Sequence, residues 1–530
     1  MNTSEHYDVV VIGGAVAGSA FATLLRRARP ATRVLVIERR ARFDRKVGEA
    51  TVEVSGLFLH RALGLYDHLS RYQLPKHGLR FWFTDSKDRG LEEMSEVGPT
   101  RASRLPSFQL DRSRLDESLV ELAATEGCEV ARPARVLRVA LGWPESRVTF
   151  SVAGGRREVT ARWVIDATGR RAFLGRQLDL IRRNEEHPTS AVWCRWRGAA
   201  DLDGVGVMGS SARRSRLHPI AASRRLATNH FCGYGWWCWA IPLAGGETSV
   251  GLVYNRELFQ LDGEGGLADR YRAFVTAQAG LRELLAGAVM EEGDCRGVSH
   301  LPYCAERYAG KGWALVGDAA SFIDPYYSPG LDHVAISTWA TERLVEEDLD
   351  GRLDEALLTA RLEEHNDLFQ RSYRRWFEGL YKGKYEILGD AELTASAFLF
   401  DTAMYYLGVV SPVYGDVENL SNPVLGLRLR SAEIASALLA AFNRRMNRLA
   451  RFRSRVGRYG RRNAGWRLGI KSPDLGLRAL PMLWQGLRLW LRAEGEFLLY
   501  RVGHRRLDLD EPVPPAPSET GKAGAPAPAL

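Results

Sequence analysis

Residues 7–28 read YDVVVIGGAVAGSAFATLLRRA: a strand, a glycine turn and a helix. Val9 to Ile12 are apolar and mostly β-branched, as a strand buried on both faces requires. Gly13, Gly14 and Gly18 let the backbone turn tightly, and the N–H groups that open the following helix face whatever lies beyond the turn. A second strand, RVLVIERR (33–40), ends in Glu38, twenty residues after Gly18. A carboxylate there suits the ribose hydroxyls of a dinucleotide whose pyrophosphate sits on the turn. Ala15 occupies the middle position of G-x-G-x-x-G, where a glycine is usual. Strand, turn, helix, strand and acid in register predict an α/β dinucleotide-binding unit.

Three later stretches follow in a fixed order. QLDRSRLDESLVELAA (109–124) places Arg112 and Asp116 at the head of an amphipathic helix. WVIDATGRRA (163–172) is an apolar strand running into Ala-Thr-Gly, and GWALVGDAASFIDPYYSPGLDHVA (312–335) is a strand, then Gly317-Asp318, then a helix start. The set resembles the FAD-dependent monooxygenase superfamily. That resemblance implies FAD rather than NAD, with Gly13, Gly14, Ala15, Gly18, Glu38, Arg112 and Asp318 on the cofactor. It also implies a Rossmann-like βαβ domain interleaved with a mixed-sheet substrate domain over residues 1–345. Only one full dinucleotide fingerprint is visible, so reducing equivalents are expected from a partner or from transiently bound NAD(P)H.

Three further pieces narrow the class. They are KVGEATVEV (46–54), the W-x-W-x-I-P pattern of Trp237-Cys238-Trp239-Ala240-Ile241-Pro242, and the F-x-x-P-x-x-S-x-G pattern of Phe322 to Gly330. Together they resemble flavin-dependent halogenases of the tryptophan-halogenase-like family, over residues 7 to about 340. The resemblance implies that reduced FAD from a separate flavin reductase, O₂ and chloride or bromide yield hypohalous acid, which leaves for a separate substrate chamber. Glu49 joins the cofactor set, and Ser328 and Gly330 become the halide site. Trp237 and Trp239 become a steric gate between flavin and substrate. Without the resemblance these two indoles, on one side of a strand, are ordinary core aromatics. Lys76, in LPKHGLRFWF (74–83), matches the family lysine that handles the hypohalous acid, and the alternating Leu79, Phe81 and Phe83 predict a strand that holds it. A desolvated lysine has a lowered pKa and becomes a usable nucleophile.

Two positions depart from the pattern. Tyr327 stands where tryptophan-specific members carry a glutamate, which turns the expectation from free tryptophan to phenols and pyrroles, free or carrier-bound. Pro329 stands between Ser328 and Gly330 and has no N–H for an anion. It favours the alternative of an FAD monooxygenase or dehydrogenase on the same fold without halide chemistry. A third class is a membrane- or carrier-binding protein whose flavin site is secondary.

The rest of the chain bounds the setting. Its 530 residues and 45% hydrophobic content are ordinary for a globular protein. The N-terminus has no signal-like pattern, and no stretch of about 18 apolar residues stands out, so the expected location is cytoplasmic. The six cysteines form no C-x-x-C pair and predict neither disulfide nor metal site. From about residue 346 to 507 the spacing turns helical, predicting a C-terminal cap, and residues 508–530 read as a Pro/Ala-rich disordered tail. Arg444 to Arg462 holds nine arginines. It is either a solvated helix face or a surface for an acyl-carrier protein or an anionic membrane at which the chain sits peripherally; no nucleic-acid signature accompanies it.

Overall fold

The computed structural model describes residues 5–204, 222–421, 426–471, 474–503 and 509. The expected disordered tail, Leu509 apart, lies outside them.

An eight-stranded sheet forms the dinucleotide half. Its order is Ala309–Gly310, Trp313–Leu315, Gly155–Asp166, Glu5–Ile12, Val34–Ile37 and Glu129–Ala131, with two further strands paired beside Gly155–Asp166. Glu5–Ile12 is central and pairs in parallel with both neighbours, Val9 lying opposite Trp163 on one side and Val34 on the other. Val9, Val10 and Val11 are buried, as their unbroken apolar run requires. The helix Val16–Ala28 returns across this sheet and buries Phe21 and Leu25. The helix Arg112–Thr125 is capped by Asp111, whose side chain accepts from Ser113 N and Arg114 N.

The second sheet has nine strands and is mixed. Thr228–Gly233 runs antiparallel to Trp236–Pro242 and parallel to Leu79–Phe83. The expected strand after Lys76 is therefore central, buried along its whole length. The C-terminal third was expected to be a helical cap. It contributes the long helices Glu355–Trp376, Ala391–Tyr405, Arg430–Arg455 and Leu480–Gly503, but also the strand Arg467–Ile470, which extends this sheet in parallel with Ser95–Pro99. Four residues carry too little periodicity to show in sequence beside an arginine-rich run.

Two other expectations change. The helical run Ala391–Gly415 is long and apolar enough by composition to cross a membrane, with mean hydropathy 1.3, and is 72% buried inside the fold. Glu392 and Asp401 interrupt it and hide its apolar character on a plain reading of the sequence. The arginines of 444–462 are to a large extent spent internally. Arg445 pairs with Glu494, Arg451 with Glu386, and the buried Arg453 with Asp390, Glu392 and Glu496. Arg461 and Arg462 converge on Glu392. Five of the nine arginines are thereby tied into ion pairs, while Arg444, Arg448 and Arg458 face solvent. All six cysteines are free thiols, and among the described residues no group of His, Cys, Asp or Glu is placed to hold a metal.

Candidate active site

Two cavities meet at the seam between the sheets. The first, about 430 Å³, is lined by the glycine turn, Glu38, Glu49, Arg112, Trp237, Trp239, Ser328 and Gly330. The second, about 190 Å³, is lined by Lys76, Tyr327, Asp332, Phe398, Asp401 and Met482, among others. Asp318, Phe322 and Gly330 border both.

The first cavity has the shape of a dinucleotide cradle. Gly13 has φ +102°, and a Cβ there would lie 2.6 Å from the Ala167 carbonyl oxygen; at Gly18 it would lie 1.9 Å from the Gly13 oxygen. Only glycine fits either position. Ala15 sits at the helix N-cap with φ −76° and ψ −168°, an extended conformation open to any residue, so the missing glycine costs no strain. No side chain caps this helix and its first turn has no acid, leaving its N–H groups for an anion. Glu38 is buried and braces the turn: its carboxylate accepts from Gly14 N at 2.8 Å and Arg40 N at 2.9 Å.

The Gly-Glu-Ala-Thr turn is fixed from both sides. Gly48 has φ +91° and lies so close to Arg112 that a Cβ would come within 2.6 Å of the guanidinium. Arg112 donates to the Val47 and Gly48 carbonyls and to Asp116. Glu49 is buried and ion-paired to Arg195 at 2.7 Å, yet its Oε2 has no hydrogen-bond partner. Burial raises its pKa, and Arg195 pulls it back. A buried carboxylate oxygen left open on this cavity fits a donor from a bound ligand. Burial also raises Asp318, against the attraction of Arg170, Arg112 and Lys46. Lys46 and Arg170 line the cavity, and sequence reasoning passed over both. Arg170 belongs to the quoted A-T-G-R-R run and donates to the carbonyls of His300 and Leu301, so that signal was available.

Trp236, Trp237 and Trp239 divide as strand alternation demands. Trp236 packs with Phe259 and Phe274 on the far face of the sheet, while Trp237 and Trp239 face the dinucleotide cavity. Trp237 donates to Tyr385 Oη at 3.0 Å and Trp239 to Ser249 Oγ at 3.1 Å, which fixes both ring planes. Neither indole lines the second cavity. A further aromatic layer lies behind them: Trp237 packs on Tyr326 and His230, these on Phe81, and Phe81 on Phe398, which lines that chamber. Asp324, buried in the loop before Tyr326, accepts from Tyr385 at 2.9 Å and lies 2.8 Å from His187 Nε2.

Lys76 is buried in the chamber wall. Its Nζ donates to the Thr51 carbonyl at 2.7 Å and reaches Ser328 Oγ at 3.4 Å. Burial lowers its pKa to about 8, with Glu53 and Asp332 pulling the other way. Because Ser328 lines the first cavity and Lys76 the second, this contact crosses the partition. Ser328 has φ +57°, a strained value for a non-glycine residue, and its N–H is taken by the Pro325 carbonyl. Pro329 is the N-cap of the helix Gly330–Leu349. Its missing N–H therefore removes none of the first-turn donors on Gly330, Leu331 and Asp332, which have no acceptor within the helix.

The chamber is largely apolar, with three carboxylate–tyrosine pairs that sequence reasoning did not assemble. Tyr327 Oη donates to Asp401 at 2.7 Å, Tyr405 Oη to Asp332 at 2.6 Å and Tyr406 Oη to Glu53 at 2.6 Å. Lys384 also reaches Asp401, at 2.9 Å. Burial raises Asp332 to about 6.

Comparison with known proteins agrees with this geometry. Residues 6–205 match the FAD binding domain family. The chain is 26% identical over 449 residues to the flavin-dependent halogenase chlA of Dictyostelium discoideum, covering 78% of this chain and 71% of that protein. It is 29% identical over 349 residues to the flavin-dependent halogenase armH3 of Armillaria mellea, covering 62% of this chain and 65% of the relative. It is 25% identical over 439 residues to the 1H-pyrrole-2-carbonyl-(peptidyl-carrier protein) chlorinase of Pseudomonas fluorescens, covering 78% of this chain and 90% of that enzyme. Among solved structures, halogenase PltM in complex with phloroglucinol and FAD shares the fold, with a TM-score of 0.70 at 17% identity, covering 92% of this chain and 96% of that one.

Proposed function

Starting from a chain that carries an FAD-binding domain and whose curated relatives include flavin-dependent halogenases, we propose that it halogenates an electron-rich aromatic of phenol or pyrrole type, using reduced FAD delivered by a separate reductase. The placement of Lys76 carries the proposal: a buried amine with its pKa near 8, facing an aromatic chamber and bonded through the partition to the serine of the neighbouring cavity.

The glycine turn, Glu38, Glu49, Arg112 and Asp318 would hold FAD. When bound and reduced, FAD supplies with O₂ and halide the hypohalous acid that the chamber uses. The uncapped helix start at Gly330 is the anion donor set for the halide. Trp237, Trp239 and the layer behind them keep the organic substrate off the cofactor, so the chamber receives the small oxidant alone. At neutral pH Lys76 populates both protonation states. The ammonium donates a hydrogen bond to hypohalous acid and makes its halogen more electrophilic, while the free amine would attack the halogen, forming an N–halogen bond as the O–halogen bond breaks, with the departing hydroxide taking the nitrogen's proton to leave as water. The carboxylates Glu53, Asp332 and Asp401 are acceptors for a phenolic hydroxyl and for the proton released by the substituted ring. Tyr327 thus stands beside an acid, Asp401, supplied from the helix Ala391–Tyr405.

Product analysis by mass spectrometry tests this, with chloride replaced by bromide, a reductase supplying reduced FAD, and a panel of phenols, pyrroles and carrier-bound acyl aromatics. Halide-dependent product, lost in Lys76→Ala while reduced-FAD oxidation continues, is expected. Oxygenation or dehydrogenation without halide incorporation would replace the proposal with a monooxygenase or dehydrogenase.

A further inference from the structure

The helix Leu480–Gly503 has two unlike faces. Its inner face buries Met482, Gly486, Ala493 and Phe497, and Ser396 Oγ bonds the Gly486 carbonyl at 2.9 Å where it crosses Ala391–Tyr405. Its outer face, with the turn before it, carries Leu477 (76% exposed), Leu480 (42%), Trp484 (60%), Leu491 (52%), Leu498 (57%) and Val502 (89%). The spacing of three, four and seven residues lines them up as one stripe, along a helix about 36 Å long. Isolated exposed leucines are ordinary, but an aligned row of this length marks a contact surface.

The charges beside the stripe are of one sign. Arg488, Arg492 and Arg501 are exposed on the helix, and Arg478 on the turn before it. Arg478 has Asp474 at 3.4 Å and Arg492 has Glu392 at 3.5 Å, both loose contacts. The two acids of the helix, Glu494 and Glu496, are turned inward onto Arg445, Arg453 and Arg461, so neither is exposed. The neighbouring helix Arg430–Arg455 runs in the same direction, since Phe442 meets Trp490 and Phe452 meets Phe497, and it exposes Ile434 and Leu438. The whole chain carries a net charge of +9.

We propose that this face docks on an anionic lipid surface. Leucine, valine and tryptophan side chains enter the headgroup and upper acyl region, and the flanking arginines meet lipid phosphates and carboxylates. A tryptophan with one polar edge suits that depth. A second copy of the chain fits less well, because pairing this face on itself would oppose two rows of arginines. Met482, on the inner face, lines the chamber. Docking therefore sets that chamber wall next to the membrane. The inference stands on this surface alone and does not depend on the chemistry proposed above.

Cosedimentation of the full chain with phosphatidylcholine vesicles, with and without phosphatidylserine, tests it. Binding is expected only where phosphatidylserine is present and should weaken as salt rises. The triple variant Trp484→Ser, Leu491→Ser, Leu498→Ser and the double variant Arg488→Gln, Arg501→Gln should each lose roughly tenfold or more in partitioning. All five side chains are outside both cavities, so flavin titration should be unchanged and certifies the fold. Equal binding to both vesicle types, binding that survives the triple variant, or no binding at all overturns the proposal; the last, with a concentration-dependent dimer in sedimentation, would reassign the face to a second copy, and without one to a protein partner.

Discussion

Replacing Lys76 by methionine should change how stability depends on pH in a calculable way. Lys76 is 2% exposed, and burial lowers its pKa from the ordinary 10.5 to about 8. Between these values the unfolded chain holds the proton and the folded chain does not, so wild-type stability rises with pH across that window. Below pH 8 both states are charged, and the fold bears the full cost of the buried ammonium. At 1.36 kcal/mol per pKa unit, the difference is about 3.4 kcal/mol in total, of which roughly 2.5 kcal/mol falls between about pH 7.5 and about pH 10. Lys76→Met also removes the hydrogen bond to the Thr51 carbonyl, but that loss is constant with pH and leaves the slope untouched. Asp332, near 6, and His230, near 3, titrate below the window. The assay is urea unfolding of both proteins, stripped of flavin so that no ligand linkage enters, at a series of pH values. Wild type minus variant should grow in favour of wild type by roughly 2.5 kcal/mol as pH rises. A difference that stays flat would mean that Lys76 is not a desolvated amine, and the proposed role as a tuned nucleophile would go with it.

Three further outcomes are expected. Gly18→Ala should cost about 1–3 kcal/mol through its 1.9 Å clash with the Gly13 oxygen and weaken FAD binding by one to two decades, read by flavin fluorescence titration; unchanged affinity would remove the turn from the cofactor site. Arg195→Met should destabilise by about 3–5 kcal/mol, because it leaves Glu49 buried without its ion-pair partner, and adding Glu49→Gln should restore part of the loss in thermal unfolding, the rest belonging to Asp294, which Arg195 also pairs; no restoration would mean that the Glu49 charge contributes nothing to the loss. Pro329→Thr adds one N–H beside the three first-turn donors, a bond worth about 1.5–3 kcal/mol to an anion, and should lower the bromide concentration for half-maximal product. An unchanged requirement would show that the first-turn donors alone serve the halide.

The dinucleotide half was legible because its constraints are local. Gly13, Gly18 and Glu38 are set by backbone geometry within one βαβ unit, and a short stretch of sequence carries that geometry whole. For Lys76 the sequence offers position alone; nothing in LPKHG says that the amine would be buried or would reach Ser328. The chamber was not legible. Asp401, Tyr405 and Tyr406 lie on a helical run that is apolar all round, so no periodicity marks the side turned to the cavity, and their partners Tyr327, Asp332 and Glu53 are distant in sequence. Arg453 shows the opposite failure. In sequence it is one arginine among nine, yet it is buried against three carboxylates. A charge run looks the same whether water or acids face it.

Every residue lining the dinucleotide cavity comes from positions 12 to 334, whereas the chamber draws Phe369, Trp376, Phe398, Asp401, Tyr405 and Met482 from the C-terminal third. The chamber also takes Lys76, Asp318, Phe322, Tyr327, Gly330 and Asp332 from within that first stretch, so the C-terminal third supplies only one side of its wall. Substitutions beyond residue 369 therefore reshape that side of the chamber without touching any residue that lines the dinucleotide cavity. Laboratory diversification can exploit the same partition by confining libraries to residues after 369.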